Sequence, residues 1–185
     1  MKTRMIIVAA PSGAGKSSFV ARIIKEQSRL VDIVTFTTRN IRKGESAGVQ
    51  YHFISPEEFQ KKISENFFVE WAKVHTNFYG TSYESLETVW AAGNCAIMDI
   101  DIQGVQTFKT KFPDAKTIFI LPPSIDELRR RIEKRDGGIP ADIEVRMANA
   151  EKELKEASKF DYQIVNDNFE HSYAEFKKII EDLLG

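Results

Sequence analysis

The stretch "VAAPSGAGKSS" at residues 8–18 decides the fold, because a glycine-containing turn in it joins an apolar run to a helix-like segment. The stretch ends as the phosphate-binding loop pattern G-x-x-x-x-G-K-S/T ends, with Gly15, Lys16 and Ser17 in the last three positions. The first position of the pattern holds Ala10 instead of glycine. This position lies where strand becomes turn, and alanine fits there if its backbone angles are ordinary. We therefore interpret the stretch as a working phosphate loop.

The remaining residue types of the loop all serve phosphate binding. Backbone N–H groups must converge on phosphate oxygens, and glycine is needed where φ is positive or where a Cβ would collide, as at Gly13 and Gly15. Lys16 is placed to reach the β- and γ-phosphates, Ser17 is placed to face Mg²⁺, and the next helix adds its positive dipole end. The residues expected around the phosphates of a bound nucleotide are Ala10, Pro11, Ser12, Gly13, Ala14, Gly15, Lys16, Ser17 and Ser18.

Segments with the pattern of buried strands alternate with segments of helical periodicity along most of the chain. Buried strands are predicted at "MIIVAA" (5–10), "NCAIMDIDIQGV" (94–105), "KTIFILPP" (116–123) and "DYQIVN" (161–166). Helices are predicted at 16–27, 83–92, 124–136, 140–159 and 170–184. This alternation predicts an α/β fold with a mostly parallel sheet flanked by helices. The phosphate loop after the first strand makes the P-loop NTPase type the expected fold class.

Two segments differ from this core pattern. One holds the predicted strands "DIVTFTT", "VQYHFIS" and "FFVEWAKV", which surround a helix that begins at Ser55 with a capping box. It is predicted to be an inserted, mixed α+β lobe over the main site. The other segment, "ELRRRIEKRDGGIPADIEVRM" (127–147), is charged and contains a Gly-Gly-Ile-Pro break. That pattern predicts a mobile helical hairpin rather than core.

The composition disfavours several classes of protein. Of the 185 residues 42% are hydrophobic, which is enough for a core, and the formal net charge is -1. This charge balance argues against a protein that coats nucleic acid or an anionic membrane. The single cysteine, Cys95, allows no intrachain disulfide, and the longest apolar run near the start is far too short to span a bilayer. We expect a cytoplasmic protein with no nucleic-acid or membrane partner.

Two aspartates, Asp99 and Asp101, stand near the carboxyl end of the apolar run at 94–105. P-loop enzymes use an aspartate in this place to orient Mg²⁺ and its waters. The alternative is that either residue caps the helix that follows. The magnesium interpretation places Ser17 and Asp99 at the metal, largely through waters and phosphates.

The arginines form two groups in the two unusual segments. Arg39 and Arg42 lie in "TTRNIRKGE", and Arg131, Arg135 and Arg146 lie in the charged hairpin. Two such groups indicate that two phosphate groups are brought together, as in transfer from a nucleoside triphosphate to a second phosphorylated molecule. Such an acceptor is already anionic at neutral pH, so alignment and charge neutralisation can replace a strong general base. The alternative for the hairpin is a solvated helix face with i,i+4 ion pairs.

Six motifs in order resemble those of the guanylate kinase family: "APSGAGKSS", "TTRNIRKGE", "YHFIS", "VEWAKV", "FYGTS" and "DIDIQGV". The resemblance runs through nearly the whole chain, to "DYQIVND". It implies Mg²⁺-dependent transfer of the ATP γ-phosphate to GMP, giving ADP and GDP, in purine nucleotide metabolism. It also implies a core at 1–33, 87–124 and 156–185, a GMP-binding lobe at 34–86 and a lid at 125–155.

The resemblance also implies roles for individual residues. Contacts to GMP are implied for Thr35, Arg39, Arg42, Tyr51, Glu70, Tyr79, Gly80, Thr81 and Asp101. Catalytic roles are implied for Lys16, Arg39, Arg131, Arg135 and Arg146. On the adenine side of ATP, the family pattern implies a contact from Asn166.

Glu70 is the residue to which the resemblance assigns recognition of guanine, and its chemistry suits the role. Guanine N1–H and N2–H₂ form a paired donor edge that one carboxylate accepts with both oxygens, whereas adenine lacks this edge. From spacing alone, Glu70 would be an outward-facing strand residue, and the tyrosines would be packing residues. The chain departs from the family at Ile41, which replaces a proline and is expected to loosen the arginine loop, and at Thr35, which keeps the usual hydroxyl.

Other functions stay open on the sequence. A kinase for another nucleotide or small molecule would share the phosphate loop and the arginines, and dGMP is an open second acceptor. A guanylate-kinase-like protein-interaction domain would share the fold but lose the working residues of the loop. Here Lys16, Ser17, Arg39 and Asp101 are all present, which favours an enzyme. The sequence leaves the oligomeric state open.

Overall fold

The computed structural model describes residues 4–42, 44–49, 51–74, 76–100 and 102–185. Within these ranges the strands are β1 (Met5–Ala9), β2 (Leu30–Asp32), β3 (Thr35–Thr37), β4 (Tyr51–Phe53), β5 (Phe68–Val74), β6 (Asn77–Ser82), β7 (Cys95–Asp99), β8 (Lys116–Leu121) and β9 (Tyr162–Val165). The helices are α1 (Lys16–Glu26), α2 (Pro56–Ser64), α3 (Tyr83–Ala91), α4 (Ile102–Lys111), α5 (Ile125–Asp136), α6 (Ile143–Lys155) and α7 (Phe169–Leu184). None of these described helices has the length and apolar character needed to cross a membrane.

The larger of two sheets is parallel throughout, with the strand order β2-β7-β1-β8-β9. Its central strand β1 is buried at every position, as a continuous apolar run predicts for a sheet covered on both faces. Helices α1 and α7 cover one face, where Phe19 and Phe176 pack with Ile6 and Val8. Helices α3 and α4 cover the other face, where Phe108 is buried. The predicted α/β fold with a mostly parallel sheet flanked by helices is confirmed.

The smaller sheet has the strand order β4-β3-β6-β5 and contains both parallel and antiparallel pairs. Helix α2 packs on it through Phe59, whose ring stacks on Phe68 with centroids 4.5 Å apart. The helix begins as its capping box predicts, with the Ser55 hydroxyl accepting the Glu58 N–H at 3.1 Å. The single strand predicted at 32–38 is wrong, because β2 belongs to the larger sheet and β3 to the smaller one.

The strand predicted at 94–105 is shorter in the structure. Strand β7 ends at Asp99 and helix α4 begins at Ile102, so the apolar run covers both elements. Val105 and Phe108 after the junction are buried residues of the helix. An apolar run by itself cannot separate a buried strand from a buried helix segment, which explains the error.

Helices α5 and α6 form the charged hairpin, and one side of it is buried. Leu128 and Ile132 of α5 pack with Met147 of α6 and with Ala14 of the phosphate loop. A Cβ placed on Gly13 would lie only 2.7 Å from Ile132 Cγ1, so α5 approaches the loop closely. The expectation of a hairpin outside the core is therefore corrected, because its apolar side packs around the phosphate loop.

Candidate active site

A cleft of about 690 Å³ opens beside the carboxyl ends of the parallel strands, and residues of both sheets line it. The phosphate loop after β1 and the end of β7 contribute from the larger sheet, while β3 to β6 contribute from the smaller sheet. The predicted site residues that line the cleft are Ala10, Pro11, Ser12, Gly13, Gly15, Lys16, Ser17, Ser18, Thr35, Tyr51, Glu70, Tyr79, Gly80, Thr81, Asp99 and Arg135. Most of the residues singled out in the sequence thus share one cleft.

The backbone of the phosphate loop depends on its two inner glycines. Gly13 and Gly15 have φ angles of 93° and 100°, which side chains other than glycine rarely permit. Among the described residues Asn66 is the only non-glycine with positive φ, so Ala10 does not need the freedom of glycine. The alanine in the first motif position is therefore compatible with the loop.

Asn166, at the end of β9, is buried against the loop. Its Nδ2 donates to the Ala14 carbonyl oxygen at 2.8 Å, and a Cβ on Gly15 would lie 2.7 Å from the same nitrogen. The backbone carbonyl oxygen of Asn166 accepts from Arg131 Nη2 at 3.0 Å, and Arg131 Nε donates to Glu127 at 2.8 Å. Asn166 thus links the loop to helix α5, and its contact with adenine remains a prediction.

Lys16 and Ser17 both meet Asp99. Lys16 Nζ lies 3.9 Å from Asp99 Oδ2 and donates to the Ile100 carbonyl oxygen at 3.4 Å, while Ser17 Oγ donates to Asp99 Oδ2 at 3.2 Å. A hydroxyl and a carboxylate are hard oxygen ligands, and Mg²⁺ commonly binds one or two of these with phosphates and waters. The described residues contain no cluster of three or more His, Cys, Asp or Glu side chains suited to a metal. The donor set therefore fits a magnesium ion that is held together with a nucleotide.

Asp32, at the end of β2, lines the same edge of the cleft and was missed from the sequence. Reduced hydration raises the pKa of its carboxyl to about 6, and the negative charge of Asp99 adds to the shift, although the residue keeps contact with solvent. Asp32 lies near Asp99 because β2 pairs with β7. That pairing joins distant parts of the chain, so no sequence motif includes Asp32.

Arg39 lies among aromatic rings and one carboxylate in the lobe. Its guanidinium is 5.3 Å from the centroid of the Tyr51 ring, and the Tyr51 and Tyr79 centroids are 5.9 Å apart. Arg39 Nη2 donates to Glu45 at 2.7 Å, and Glu45 also accepts the Arg42 backbone N–H at 2.8 Å. The hydrogen bond from Arg39 holds the pKa of the Glu45 carboxyl below its usual range. Arg39, Tyr51 and Tyr79, all predicted to contact GMP, therefore converge. Glu45 joins them and was not predicted, although it lies in "TTRNIRKGE".

Four more of the residues predicted to contact GMP belong to strands of the smaller sheet. Glu70 of β5 and Thr81 of β6 are direct cross-strand partners, and Thr81 is buried. Thr35, Glu70, Gly80 and Thr81 all line the cleft. Asp101, the remaining predicted contact, lies outside the described residues.

The two other arginines predicted in the charged hairpin are paired with aspartates. Arg135 Nε donates to Asp136 Oδ1 at 2.7 Å, and Arg146 Nη1 donates to Asp136 Oδ2 at 2.9 Å. Arg146 Nε also donates to Asp142 at 2.9 Å. Asp136 thus joins an arginine of α5 to an arginine of α6, and the hairpin holds two cations side by side.

Some predicted residues do not line the cleft in this structure: Ala14, Arg39, Arg42, Arg131, Arg146 and Asn166. Other residues line it without having been predicted: Asp32, Ile33, Ala72, Ile100, Ile102 and Glu153. Most of the second set are apolar and carry no chemical signal that a sequence motif could reveal.

The fold and the cleft define the class of the protein first: an α/β nucleotide-binding protein with a phosphate loop. The Guanylate kinase family model matches residues 2–183. The guanylate kinase of Bdellovibrio bacteriovorus is 80% identical over the whole of both chains, and that of Dechloromonas aromatica is 39% identical over 97% of this chain and 89% of its own. The crystal structure of guanylate kinase from Anaplasma phagocytophilum superposes with a TM-score of 0.77 at 30% identity, covering 97% of this chain and 85% of that one. The chain belongs to the guanylate kinase family, and the resemblance in the sequence is confirmed.

Proposed function

We infer that this chain is an ATP:GMP phosphotransferase, which transfers the γ-phosphate of ATP to GMP and yields ADP and GDP. One observation carries the inference: a single cleft is lined both by the phosphate loop with Lys16 and by the facing pair Glu70 and Thr81. A triphosphate site and a site for a guanine base, placed in one cleft, suit two nucleotides that exchange a phosphate. Membership of the guanylate kinase family supports the same activity.

We propose that the lobe at 34–86 binds GMP. Glu70 accepts the N1–H and N2–H₂ donors of guanine, and the hydroxyls of Thr35 and Thr81 are within the same part of the cleft to bond the base. Arg39, with Tyr51 and Tyr79 beside it, binds the phosphate of GMP. AMP would leave the Glu70 carboxylate badly paired, so it would be rejected.

Transfer then depends on position and charge. Lys16 reaches the β- and γ-phosphates of ATP from the end of the loop, and Arg135 and Arg146 approach the transferred group from the lid at 125–155. The acceptor oxygen of GMP is anionic, so the site needs cations and alignment rather than a strong base. Closure of lobe and lid around both nucleotides would exclude the water that otherwise hydrolyses ATP.

Ser17 and Asp99 would hold Mg²⁺, largely through phosphates and waters. When bound, the ion neutralises phosphate charge and orients the β- and γ-phosphates. Lys16 lies next to the same carboxylate, so the lysine and the metal ligands face the same phosphates.

The test is an assay of ADP release with ATP, Mg²⁺ and one nucleoside monophosphate at a time. We expect GMP to be the preferred acceptor, with AMP, CMP and UMP slower by orders of magnitude. A Glu70→Ala variant should lose most of the GMP activity. Equal turnover of AMP or UMP by the wild-type protein would rule out the proposed guanine site.

A further inference from the structure

Gly104 is a glycine that the backbone does not need. It lies in the first turns of helix α4, and it is not among the glycines with positive φ. Glycine inside a helix lowers stability relative to alanine, because it loses more conformational freedom on folding. The reason for a glycine at this position must therefore lie in a neighbouring residue and not in the helix backbone.

The neighbour that fills the space is the carboxyl group of Glu70. A Cβ placed on Gly104 would lie 3.2 Å from Glu70 Oε2, 3.3 Å from its Cδ and 3.5 Å from its Oε1. These three nearest atoms belong to one carboxyl group, and the first two distances are tighter than ordinary van der Waals contact. Gly104 is buried, while Glu70 lines the cleft. Any side chain at 104 would push the carboxylate by a few tenths of an ångström.

Helix α4 also contacts strand β5 at Val69, the residue immediately before Glu70. Lys111 lies seven residues after Gly104, on the same face of α4, and its Nζ donates to the Val69 carbonyl oxygen. Lys111 Nζ also donates to the Tyr83 hydroxyl at 3.1 Å. The pairing of β5 with β6 shifts register between Phe68 and Glu70, so the strand is irregular at this point. Helix α4 thus contacts the backbone before Glu70 and the carboxyl group of Glu70 itself.

We propose that Gly104 is a positioning residue that sets the place of the Glu70 carboxylate and so determines selectivity for guanine. The inference rests on the proposed function of Glu70 as the group that accepts the guanine donors. A carboxylate that accepts two N–H groups at once tolerates little displacement, since both bonds need short distances and straight geometry. Gly104 contributes by the absence of a side chain, and it needs no contact with the substrate.

The test is a Gly104→Ala variant, studied by calorimetric titration with GMP and with inosine monophosphate, whose base lacks the 2-amino group. GMP bonds Glu70 through two donor groups and the inosine nucleotide through one, so the variant should raise the Kd for GMP about tenfold or more and that for the inosine nucleotide less. The affinity for ADP should be unchanged, because the phosphate loop lies elsewhere. The melting temperature should not fall, since alanine is the better helix former. Gln106→Ala, at an exposed position of the same helix, is the matched control.

A double-mutant cycle with Glu70→Ala separates the possible outcomes. If Gly104 acts through Glu70, then Gly104→Ala has no effect on GMP affinity in the Glu70→Ala background. An unchanged GMP Kd in the single variant, or an equal loss in both backgrounds, overturns the proposal while the role of Glu70 stands. A parallel loss of ADP affinity and thermal stability also overturns it, because the glycine would then support the fold alone. If Glu70→Ala binds GMP as wild type does, the proposed guanine site and this inference both fail.

Discussion

The phosphate loop differs from the arginines of the smaller-sheet segment and the helical hairpin in how positive charge is held. In the loop, the charge comes from backbone N–H groups whose directions are set by Gly13 and Gly15, and from Lys16 close to Asp99. In the lobe and lid, Arg39 and Arg146 are each bound to carboxylates. The backbone geometry of the loop is therefore set by its glycines, whereas under the proposed function these arginines would exchange a carboxylate for a phosphate.

This difference follows from how the two regions are anchored. The loop follows the fully buried strand β1 and packs under α5 through Ala14. The arginines have long, flexible side chains on segments outside the parallel sheet, where carboxylates neutralise them. Substitutions in the two regions should therefore differ in size and kind, and the following predictions are arranged from the largest effect to the smallest.

Replacing Lys16 by methionine should have the largest effect. The variant loses the cation that stabilises charge on the β- and γ-phosphates, so kcat should fall by about 100-fold or more. The Kd for GMP should stay nearly unchanged, because Glu70 belongs to the smaller sheet whereas Lys16 follows β1 of the larger sheet. Steady-state ADP release and GMP titration measure the two quantities. Lys25→Met, on the exposed side of α1, is the control, and unchanged turnover in Lys16→Met would contradict the assigned role.

Replacing Arg146 by alanine should have the second-largest effect on turnover. The loss of one lid cation should lower kcat by about 10- to 100-fold, with a smaller change in the KM for GMP. Arg129→Ala is the matched control, since Arg129 lies on the same hairpin and pairs with Glu144 at 2.8 Å. Equal losses in both variants would show that the hairpin needs charge for stability only.

Replacing Glu45 by glutamine tests the ion pair between Arg39 and Glu45 through the pH dependence of thermal stability. The pKa of Glu45 lies below its ordinary value of 4.5 because of the hydrogen bond from Arg39, so the carboxylate stabilises the fold above that pH. The stabilisation is lost as pH falls through the folded-state pKa. Glu45→Gln should therefore melt below wild type at pH 7, and the difference in melting temperature should narrow as the pH falls below 4.5. Glu65→Gln, which removes the exposed ion pair with Lys61, is the control. A difference in melting temperature between Glu45→Gln and wild type that persists at low pH would argue against the pairing of Glu45 with Arg39.

Replacing Ala10 by glycine, which restores the usual motif, should have the smallest effect. Since Ala10 has ordinary backbone angles, kcat should stay within about twofold of wild type. The melting temperature should drop by about 1 to 4 °C, because glycine adds freedom to the unfolded chain. Melting curves and ADP release test both expectations. A large rise in kcat would mean that the alanine impairs the loop.

Some structural features were readable from short stretches of sequence. The phosphate loop, the buried strand before it and the helix that begins at Ser55 all appear where their local patterns predict them. Each depends on neighbours within a few residues, so the sequence contains the whole physical cause. The prediction of one strand at 32–38 was wrong because no local sequence signal marks the point where the chain passes from the larger sheet to the smaller one.

What the sequence by itself determined is the presence of the phosphate loop, the two groups of arginines and the ordered motifs of the guanylate kinase family. What only the tertiary structure decided is which groups face one another. Glu45 binds Arg39, Asp136 joins two lid arginines, and Gly104 leaves room for the carboxyl group of Glu70. The approach of Gly104 to Glu70 joins residues far apart in sequence, and it exists only because α4 packs against β5. The bond from Arg146 to Asp136 likewise depends on the packing of α5 against α6.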